Sequence, residues 1–516
     1  MPDQLTNDNR KAFVGRVNEL RLFGSVLEKV LKHQSLWKEQ AKEIGEGYDP
    51  AYDALEDDSY PRIFILHGIG GIGKTWLTRE LLANAEKKGE EAQLLTCYCD
   101  VSIGYPPVRD RSELLWRVAR WLEDSGYSDL VALYHQAGAD APSVRARVAK
   151  LAEDRRDLFQ QATELAGVAA GQGAAIYAQD KMGVPLADGS EELVRRGTSS
   201  ALNKTYDAFL GLLQGNGEIT AADAALFRDP LAVQAEHLAS SLRVASVDGP
   251  FVIAFDTLEV VPHLEVFLRD QLVVPLVDAP ILWVLSGRYD LSTERLAEYN
   301  GERHVHKGYG DLLGNNPPVT WDVTSFSDAD IRTYMTAEAK RRSVTLEVDD
   351  AVVAAIKSAS GGVPLAVEMT VDALFALPSS DFLSTFKVDD PGLLSRQKLE
   401  MVIQRFLRYC LDFQDRERVY ALALLSPEAN DLSLRAVWQL PPSLRVTDAL
   451  AGLRSRYGFM RGNALHDVVY DLTRRQLRTG ADLVEVRLNL GARARSSTIS
   501  RTGSASNPMT MSRMSG

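Results

Sequence analysis

The stretch "FILHGIGGIGKTWLTREL", residues 64–81, is the strongest indication of fold class in this chain. In it an apolar run enters a cluster of glycines, Lys74 and Thr75 follow, and a helical pattern begins. Residues 68–75 match the GxxxxGK[ST] phosphate-binding loop, with the strand before it and the helix after it that this loop needs. The alternative is a glycine-rich turn that only joins a strand to a helix, and the lysine and threonine in frame argue against it.

A phosphate loop needs glycines because its backbone amides must turn inward without obstruction by a Cβ atom. These amides and the N-terminus of the next helix then form a positive nest for phosphate oxygens. We expect Lys74 to reach the β and γ phosphates, and the Thr75 hydroxyl to help coordinate Mg²⁺. The residues predicted to contact the nucleotide here are Gly68, Ile69, Gly70, Gly71, Ile72, Gly73, Lys74, Thr75 and Trp76.

Short apolar runs separated by helical patterns predict a parallel sheet that is covered on both faces. They occupy residues 62–68, 94–101, 251–256, 281–287 and 319–323. The predicted fold class is α/β, with a P-loop NTPase parallel sheet, helices on both faces and a large helical insertion. A small helical lid domain and a winged-helix domain are expected to follow.

The same pass along the sequence predicts five segments. The helical spacing of apolar residues over 17–43 predicts a helix in the first segment, and an acidic, turn-rich connector over 45–61 follows that helix. The centre of the insertion is rich in small residues and has no clear pattern. The last residues are rich in serine, glycine and arginine without periodicity, which predicts disorder. The segments are 1–61 (N-terminal lead), 62–325 (nucleotide-binding domain, with the insertion at about 104–248), 326–398 (helical lid), 399–480 (winged helix) and 481–516 (disordered tail).

Composition narrows the function classes. The formal net charge of −12 disfavours sequence-independent attraction to nucleic-acid phosphates. Three cysteines without metal-type spacing predict a reducing compartment, and Cys97 and Cys99 are expected to be buried thiols on a strand. We find neither a signal peptide nor a long apolar run, so the expectation is a cytoplasmic protein that does not bind membranes.

Acidic and basic residues follow the third and fourth predicted strands. Asp256 ends "FVIAFD", Glu259 comes three residues later, and Arg288 follows "ILWVLSG". Ligands of parallel sheets lie at the carboxyl ends of the strands, so we expect Asp256 beside the phosphate loop as a Mg²⁺ ligand. Glu259 is placed to orient an attacking water, and Arg288 to meet the γ phosphate. The alternatives are a helix-capping role for Asp256 and a surface position for Arg288.

The motifs occur in an order that resembles the STAND class of P-loop ATPases, which includes the NB-ARC proteins. "FVGR" is similar to that family's opening element, "GIGGIGKT" to its phosphate loop, "FDTLE" to its Walker B strand and "SGR" to its sensor strand. "GGVPLA" (residues 361–366) resembles the GLPL motif, and "ALHDVVYDL" the Met-His-Asp motif with Leu465 in place of methionine. The resemblance covers roughly residues 12–480.

The resemblance implies further nucleotide contacts. In the family the opening element approaches adenine and phosphate, the proline packs near adenine, and the histidine reads the β phosphate of ADP in the closed form. The positions in this chain that match are Phe13, Val14, Gly15, Arg16, Pro364 and His466. Without the resemblance, Pro364 would be a helix breaker and His466 a buried or capping histidine.

The implied function is a molecular switch that binds ATP or ADP with Mg²⁺. Exchange of ADP for ATP would release the closed form to self-associate, and hydrolysis would reset it. Thr257 stands where many relatives carry a second acid, so ATPase activity is expected to be slow and to depend on Lys74, Asp256, Glu259 and Arg288. The expected partners are the nucleotide, further copies of the chain, and an unidentified effector or sensor protein.

Two other functions fit the sequence. Arg454, Arg456 and Arg461 cluster in the predicted winged helix, as in a DNA-binding regulator or an origin-loading ATPase. The second of these functions is a nucleotide-dependent scaffold that does not hydrolyse ATP. The acidic charge ranks the DNA-binding alternative second, and measured turnover separates the scaffold from the switch.

Overall fold

The computed structural model describes residues 14–44, 62–166 and 204–479. Short gaps in these ranges fall at 91–92, 102–109, 261, 278, 300–301, 311, 313–316, 347, 378, 389, 391, 426–429 and 462–463. Several sequence predictions lie outside the described residues: the contact by Phe13, the connector over 45–61, the centre of the insertion and the C-terminal tail.

A five-stranded parallel sheet forms the centre of the fold, and it confirms the predicted α/β class. The strands lie in the order β2-β3-β4-β1-β7, with β1 and β4 next to each other. Every residue of β3 and β4 is buried, as expected for parallel strands covered on both faces. Their bounds are β1 Ile63–His67, β2 Leu95–Asp100, β3 Phe251–Asp256, β4 Ile281–Ser286 and β7 Val319–Asp322.

Successive side chains of each strand enter two different cores. Phe64 and Leu66 face α1 (Val17–Ile44) and α2 (Lys74–Gly89), whereas Ile63 and Ile65 belong to the core on the opposite face. That second core includes α3 (Arg111–Asp124) and later helices that pack over β3 and β4. The alternation follows from the two-residue period of a strand.

The long segment between β2 and β3 is helical where it is described. It contains α4 (Ala132–Asp154), α5 (Arg156–Leu165), α6 (residues 204–215), α7 (Ala221–Arg228) and α8 (Pro230–Asp248). Helices α4 to α7 share a core of their own, while most of the buried residues of α8 pack on the sheet. The insertion is thus attached to the sheet mainly through α3 and α8.

Between β3 and β7 the chain forms two further features. Helix α9 (Pro262–Leu268) follows β3. An antiparallel hairpin of β5 (Arg295–Tyr299) and β6 (Glu302–His306), which the sequence pattern did not predict, follows β4. Apolar runs do not indicate this hairpin because its strands are rich in charged residues.

After β7 the chain is helical. Four helices come first: α10 Asp328–Arg341, α11 Asp350–Ser360, α12 Pro364–Ala376 and α13 Ser379–Phe386. Five more follow, with a ribbon of two-residue strands between the last two. They are α14 Ser395–Tyr409, α15 Phe413–Leu425, α16 Asp431–Val437, α17 Val446–Arg456, β8 Met460–Arg461, β9 Ala464–Leu465 and α18 Asp467–Thr479.

One continuous core joins these nine helices. It extends from Val14 to Leu477, and α14 packs against both α12 and α18. The predicted lid and winged-helix segments therefore share buried apolar surface in this arrangement. Among the helices that the structure describes, none is long and apolar enough to cross a bilayer.

Candidate functional site

The loop between β1 and α2 has the backbone of an anion cradle. Gly68, Gly71 and Gly73 have φ angles of +143°, +81° and +92°, which L side chains rarely adopt. Lys74 opens α2, and its Nζ donates to the carbonyl oxygens of Gly68 at 2.8 Å and Ile69 at 3.2 Å. The ammonium group thus lies across the loop, where it can exchange carbonyl partners for phosphate oxygens.

Asp256 is held at the carboxyl end of β3 by three donors. Its Oδ1 accepts from the Ser286 hydroxyl at 2.6 Å and from the Thr257 amide at 2.9 Å. Its Oδ2 accepts from the Tyr98 hydroxyl at 3.0 Å. These bonds fix the orientation of a carboxylate that is 1% exposed.

A second buried carboxylate, which the sequence reasoning missed, lies beside the first. Asp100 ends β2 and is in register with Asp256 across the parallel pair. Its Oδ1 accepts from the Thr257 hydroxyl at 3.3 Å, and its Oδ2 from the Tyr98 hydroxyl at 3.4 Å. Thr257 has a φ of +65°, a strained value for a β-branched residue. The acid at the end of "LLTCYCD" was the available signal, because the ends of neighbouring parallel strands meet.

Glu259 and Arg288 form an ion pair. Arg288 Nε donates to Glu259 Oε1 at 3.1 Å, and Glu259 Oε2 is buried without a hydrogen-bond partner among the described residues. The Arg288 guanidinium also lies 3.8 Å from where a Cβ on Gly70 would be. The pair is therefore next to the phosphate loop.

The N-terminal segment contacts the same loop. Arg16 donates to the Ile72 carbonyl at 2.9 Å and to Glu19 at 3.2 Å, and its guanidinium lies over the Phe326 ring. Burial lowers the pKa of Arg16, and the charge of Glu19 opposes this shift. Gly15 (φ +74°) approaches α10 so closely that a Cβ would lie 2.8 Å from Asp330.

Helix α12 begins against the phosphate loop. The Leu365 amide donates to the Gly71 carbonyl at 3.1 Å, and Pro364 packs 3.8 Å from where a Cβ on Gly73 would be. Gly361 and Gly362 both have positive φ and turn the chain into this helix. The predicted lid motif thus touches the loop through backbone and side chain.

The C-terminal helices reach the other end of the loop. Val468 Cγ2 lies 2.7 Å from where a Cβ on Gly70 would be. The backbone amide of His466 donates to the Phe459 carbonyl at 2.7 Å, and its Nδ1 accepts from the Val468 amide at 3.3 Å. Because Nδ1 accepts, the neutral ring carries its proton on Nε2, which is then a donor.

All of these elements border one cavity of ≈ 290 Å³. The predicted site residues that line it are Val14, Arg16, residues 70–76, Asp256, Glu259, Arg288, Pro364 and His466. Gly15, Gly68 and Ile69 belong to the contacting segments without lining it. The volume lies near the lower end of the range for small-molecule sites.

The cavity also has lining residues that sequence reasoning missed. They are Arg79, Thr257, Phe326, Tyr334, Leu365, Glu368, Arg454, Tyr457, Gly458, Met460 and Val468. One of them had a usable signal, since Glu368 is four residues after Pro364 on α12. Such pairs lie on one face of a helix.

Thr75 and Asp256 could hold Mg²⁺ beside a bound nucleotide. Both line the cavity, and the carboxylate of Asp256 is oriented by its hydrogen bonds. One hydroxyl and one carboxylate, completed by phosphate oxygens and water, suit this ion. Within the described ranges no group of three or more His, Cys, Asp or Glu side chains offers a separate metal centre.

Two arginines of the predicted DNA-binding patch lie at the cavity or in an ion pair within the protein. Arg454 lines the cavity, and Arg456 donates to Asp415 at 3.0 Å, which also accepts from Tyr457 at 2.7 Å. The side chain of Arg461 is outside the described part of the chain. In this arrangement Arg454 faces the cavity and the charge of Arg456 is paired with a carboxylate.

Comparison with known proteins gives similarity to solved structures but no match to a family model or a curated sequence. Among solved structures, the crystal structure of Cdc6p from Pyrobaculum aerophilum is similar over 95% of this chain and 97% of that one, at 11% identity and a TM-score of 0.33. The roles of the site residues therefore follow from their own contacts.

Proposed function

We propose that this chain is a molecular switch of the STAND class that binds ATP or ADP with Mg²⁺ and hydrolyses ATP slowly. The bound nucleotide would set how the helices after β7 lie against the sheet. The observation that carries the proposal is the shared cavity: the phosphate loop, the N-terminal segment, α12 and the start of α18 all border it. A ligand there contacts parts of the chain that are far apart in sequence.

In the proposed complex the phosphates lie in the loop, with Lys74 at the β and γ positions. Mg²⁺ held by Thr75 and Asp256 would neutralise phosphate charge. Glu259 would orient the attacking water once its carboxylate is no longer paired with Arg288. Because the pair is intact here, hydrolysis requires a rearrangement first, which favours slow turnover.

The switch would arise because ADP and ATP make different contacts with the closed arrangement. His466 donates through Nε2 to a phosphate only while α18 lies against Gly70, so ADP would favour the closed arrangement. A γ phosphate would compete for Arg288 and crowd the junction at Val468. We infer that ATP shifts the population toward an open form that associates with further copies or with an effector or sensor protein.

Nucleotide binding to Lys74→Ala tests the proposal, with Lys87→Ala as the matched control. Lys87 lies on the exposed side of the same helix. Loss of a charged hydrogen bond predicts at least a roughly 10-fold weaker affinity for ADP and ATP in calorimetric titration. Wild-type affinity in Lys74→Ala would remove the phosphate-loop assignment.

Two further measurements separate the alternatives. Salt-dependent binding to duplex DNA in a mobility-shift experiment would favour the DNA-binding regulator over the switch. Nucleotide binding without any phosphate release over hours would favour the scaffold.

A further inference from the structure

The hydroxyl of Tyr334 is buried in the cavity wall without a hydrogen-bond partner among the described residues. Tyr334 is 6% exposed and lies on α10, one turn after Asp330. A buried polar atom without a partner is costly, and phenylalanine would fill the same space without that cost. The hydroxyl is thus available to a ligand in the cavity.

The carboxylate residue Glu368 lines the same cavity as Tyr334. Glu368 lies on α12 one turn after Pro364, on the face that borders the cavity, and its side chain is half-buried. Burial and then the charge of Glu368 raise the pKa of Tyr334 well above its usual value. The Tyr334 hydroxyl can therefore donate a hydrogen bond, while the carboxylate oxygens of Glu368 can accept one.

The position of the phosphates determines what these two side chains meet. Arg288 lies beside Gly70 and pairs with Glu259, so the γ phosphate belongs at that end of the loop. Pro364 lies at the opposite end, beside Gly73. A nucleotide in this orientation extends its base toward the part of the cavity formed by Val14, Phe326, Tyr334, Pro364 and Glu368.

We propose that Tyr334 and Glu368 read the edge of the base and select adenine. Resting on the proposed nucleotide site, this assigns the Tyr334 hydroxyl as donor to a ring nitrogen and the Glu368 carboxylate as acceptor from the exocyclic amine. Hypoxanthine and guanine carry a carbonyl oxygen in place of that amine. It would face the carboxylate, and two acceptors repel each other, so these bases are rejected.

The test compares ADP with inosine diphosphate, whose base carries a carbonyl oxygen in place of the amine of adenine and a hydrogen on the neighbouring ring nitrogen. Wild-type protein should bind ADP at least about 10-fold more tightly than inosine diphosphate. In Glu368→Gln the amide can turn either its oxygen or its nitrogen to the base, so the ratio should fall at least about 3-fold toward one. Glu294→Gln, at an exposed position outside the cavity, should keep the wild-type ratio.

A second variant tests the hydroxyl. Tyr334→Phe should weaken ADP binding by about 3- to 10-fold, the loss of one neutral hydrogen bond. Its melting temperature without nucleotide should not fall, because no protein hydrogen bond is lost. Tyr289→Phe, at an exposed tyrosine, is the control for ADP binding.

The outcomes separate the two proposals. Wild-type protein that binds neither diphosphate would overturn the nucleotide site and with it the base selection. ADP binding with an unchanged ratio in Glu368→Gln, or with unchanged affinity in Tyr334→Phe, would overturn the base-reading pair alone.

Discussion

Arg288 and Glu259 neutralise each other beside the phosphate loop, with Arg288 Nε 3.1 Å from Glu259 Oε1. The glutamate side chain is 9% exposed and the arginine 35%. In this arrangement Glu259, which is proposed to orient the attacking water, is paired with Arg288, which is proposed to meet the γ phosphate. Binding of a triphosphate would have to exchange one partner for the other, which couples recognition of ATP to its hydrolysis.

Glu259→Gln should trap ATP. The amide cannot act as a base, so phosphate release should fall by about 100-fold or more while ATP affinity is retained. A phosphate-release assay with Glu294→Gln as control measures this. Undiminished release would take Glu259 out of the proposed role.

Gly70→Ala should loosen the closed arrangement. Gly70 is not among the residues with positive φ, so its backbone accepts alanine, but the new Cβ would lie 2.7 Å from Val468 Cγ2. Overpacking costs about 1–3 kcal/mol, which predicts ADP release roughly 5- to 150-fold faster.

The double variant Gly70→Ala/Val468→Ala distinguishes this clash from direct damage to the loop. Removing the valine methyl groups makes room for the Cβ, so stopped-flow ADP release should return toward the wild-type rate. If the second substitution gives no rescue, the contact between loop and α18 does not hold the nucleotide.

His466→Ala should favour the open form. It removes the proposed phosphate donor and the bond from the Val468 amide, so the closed-to-open ratio should shift by about 3- to 10-fold. Sedimentation in ADP should then show more self-association than for His135→Ala, a distant exposed histidine. A variant that stays monomeric with ATP present would count against the closed-state role.

All three cysteines should resist thiol reagents in the folded protein. Burial raises the pKa of Cys97 well above its usual value, that of Cys99 to about 11 and that of Cys410 to about 12. The reactive thiolate is therefore scarce at pH 8. Above pH 9 the unfolded chain ionises first, so this burial destabilises the fold as pH rises.

A colourimetric thiol titration at pH 8 checks this prediction. It should detect three thiols per chain in denaturant and fewer than one before unfolding. Rapid reaction of Cys97 or Cys99 in the native protein would contradict their place in the core beneath the sheet.

The sequence predicted the elements that are formed by contiguous residues with a clear local pattern. The strand, loop and helix around Lys74 are contiguous, and apolar runs locate every strand of the central sheet. Asp100 and Glu368 were missed because their roles depend on neighbours 156 and 34 residues away, Asp256 and Tyr334. The β5–β6 hairpin was missed because charged residues occupy its strands.

The most direct test of the switch is the mass of the protein in each nucleotide state. Light scattering should give a monomer with ADP and Mg²⁺, and a larger assembly when Glu259→Gln is loaded with ATP. The Lys74→Ala variant should have the same mass with either nucleotide. If wild-type protein and Glu259→Gln bind both nucleotides and their mass is the same with each, nucleotide does not control self-association and the switch is contradicted.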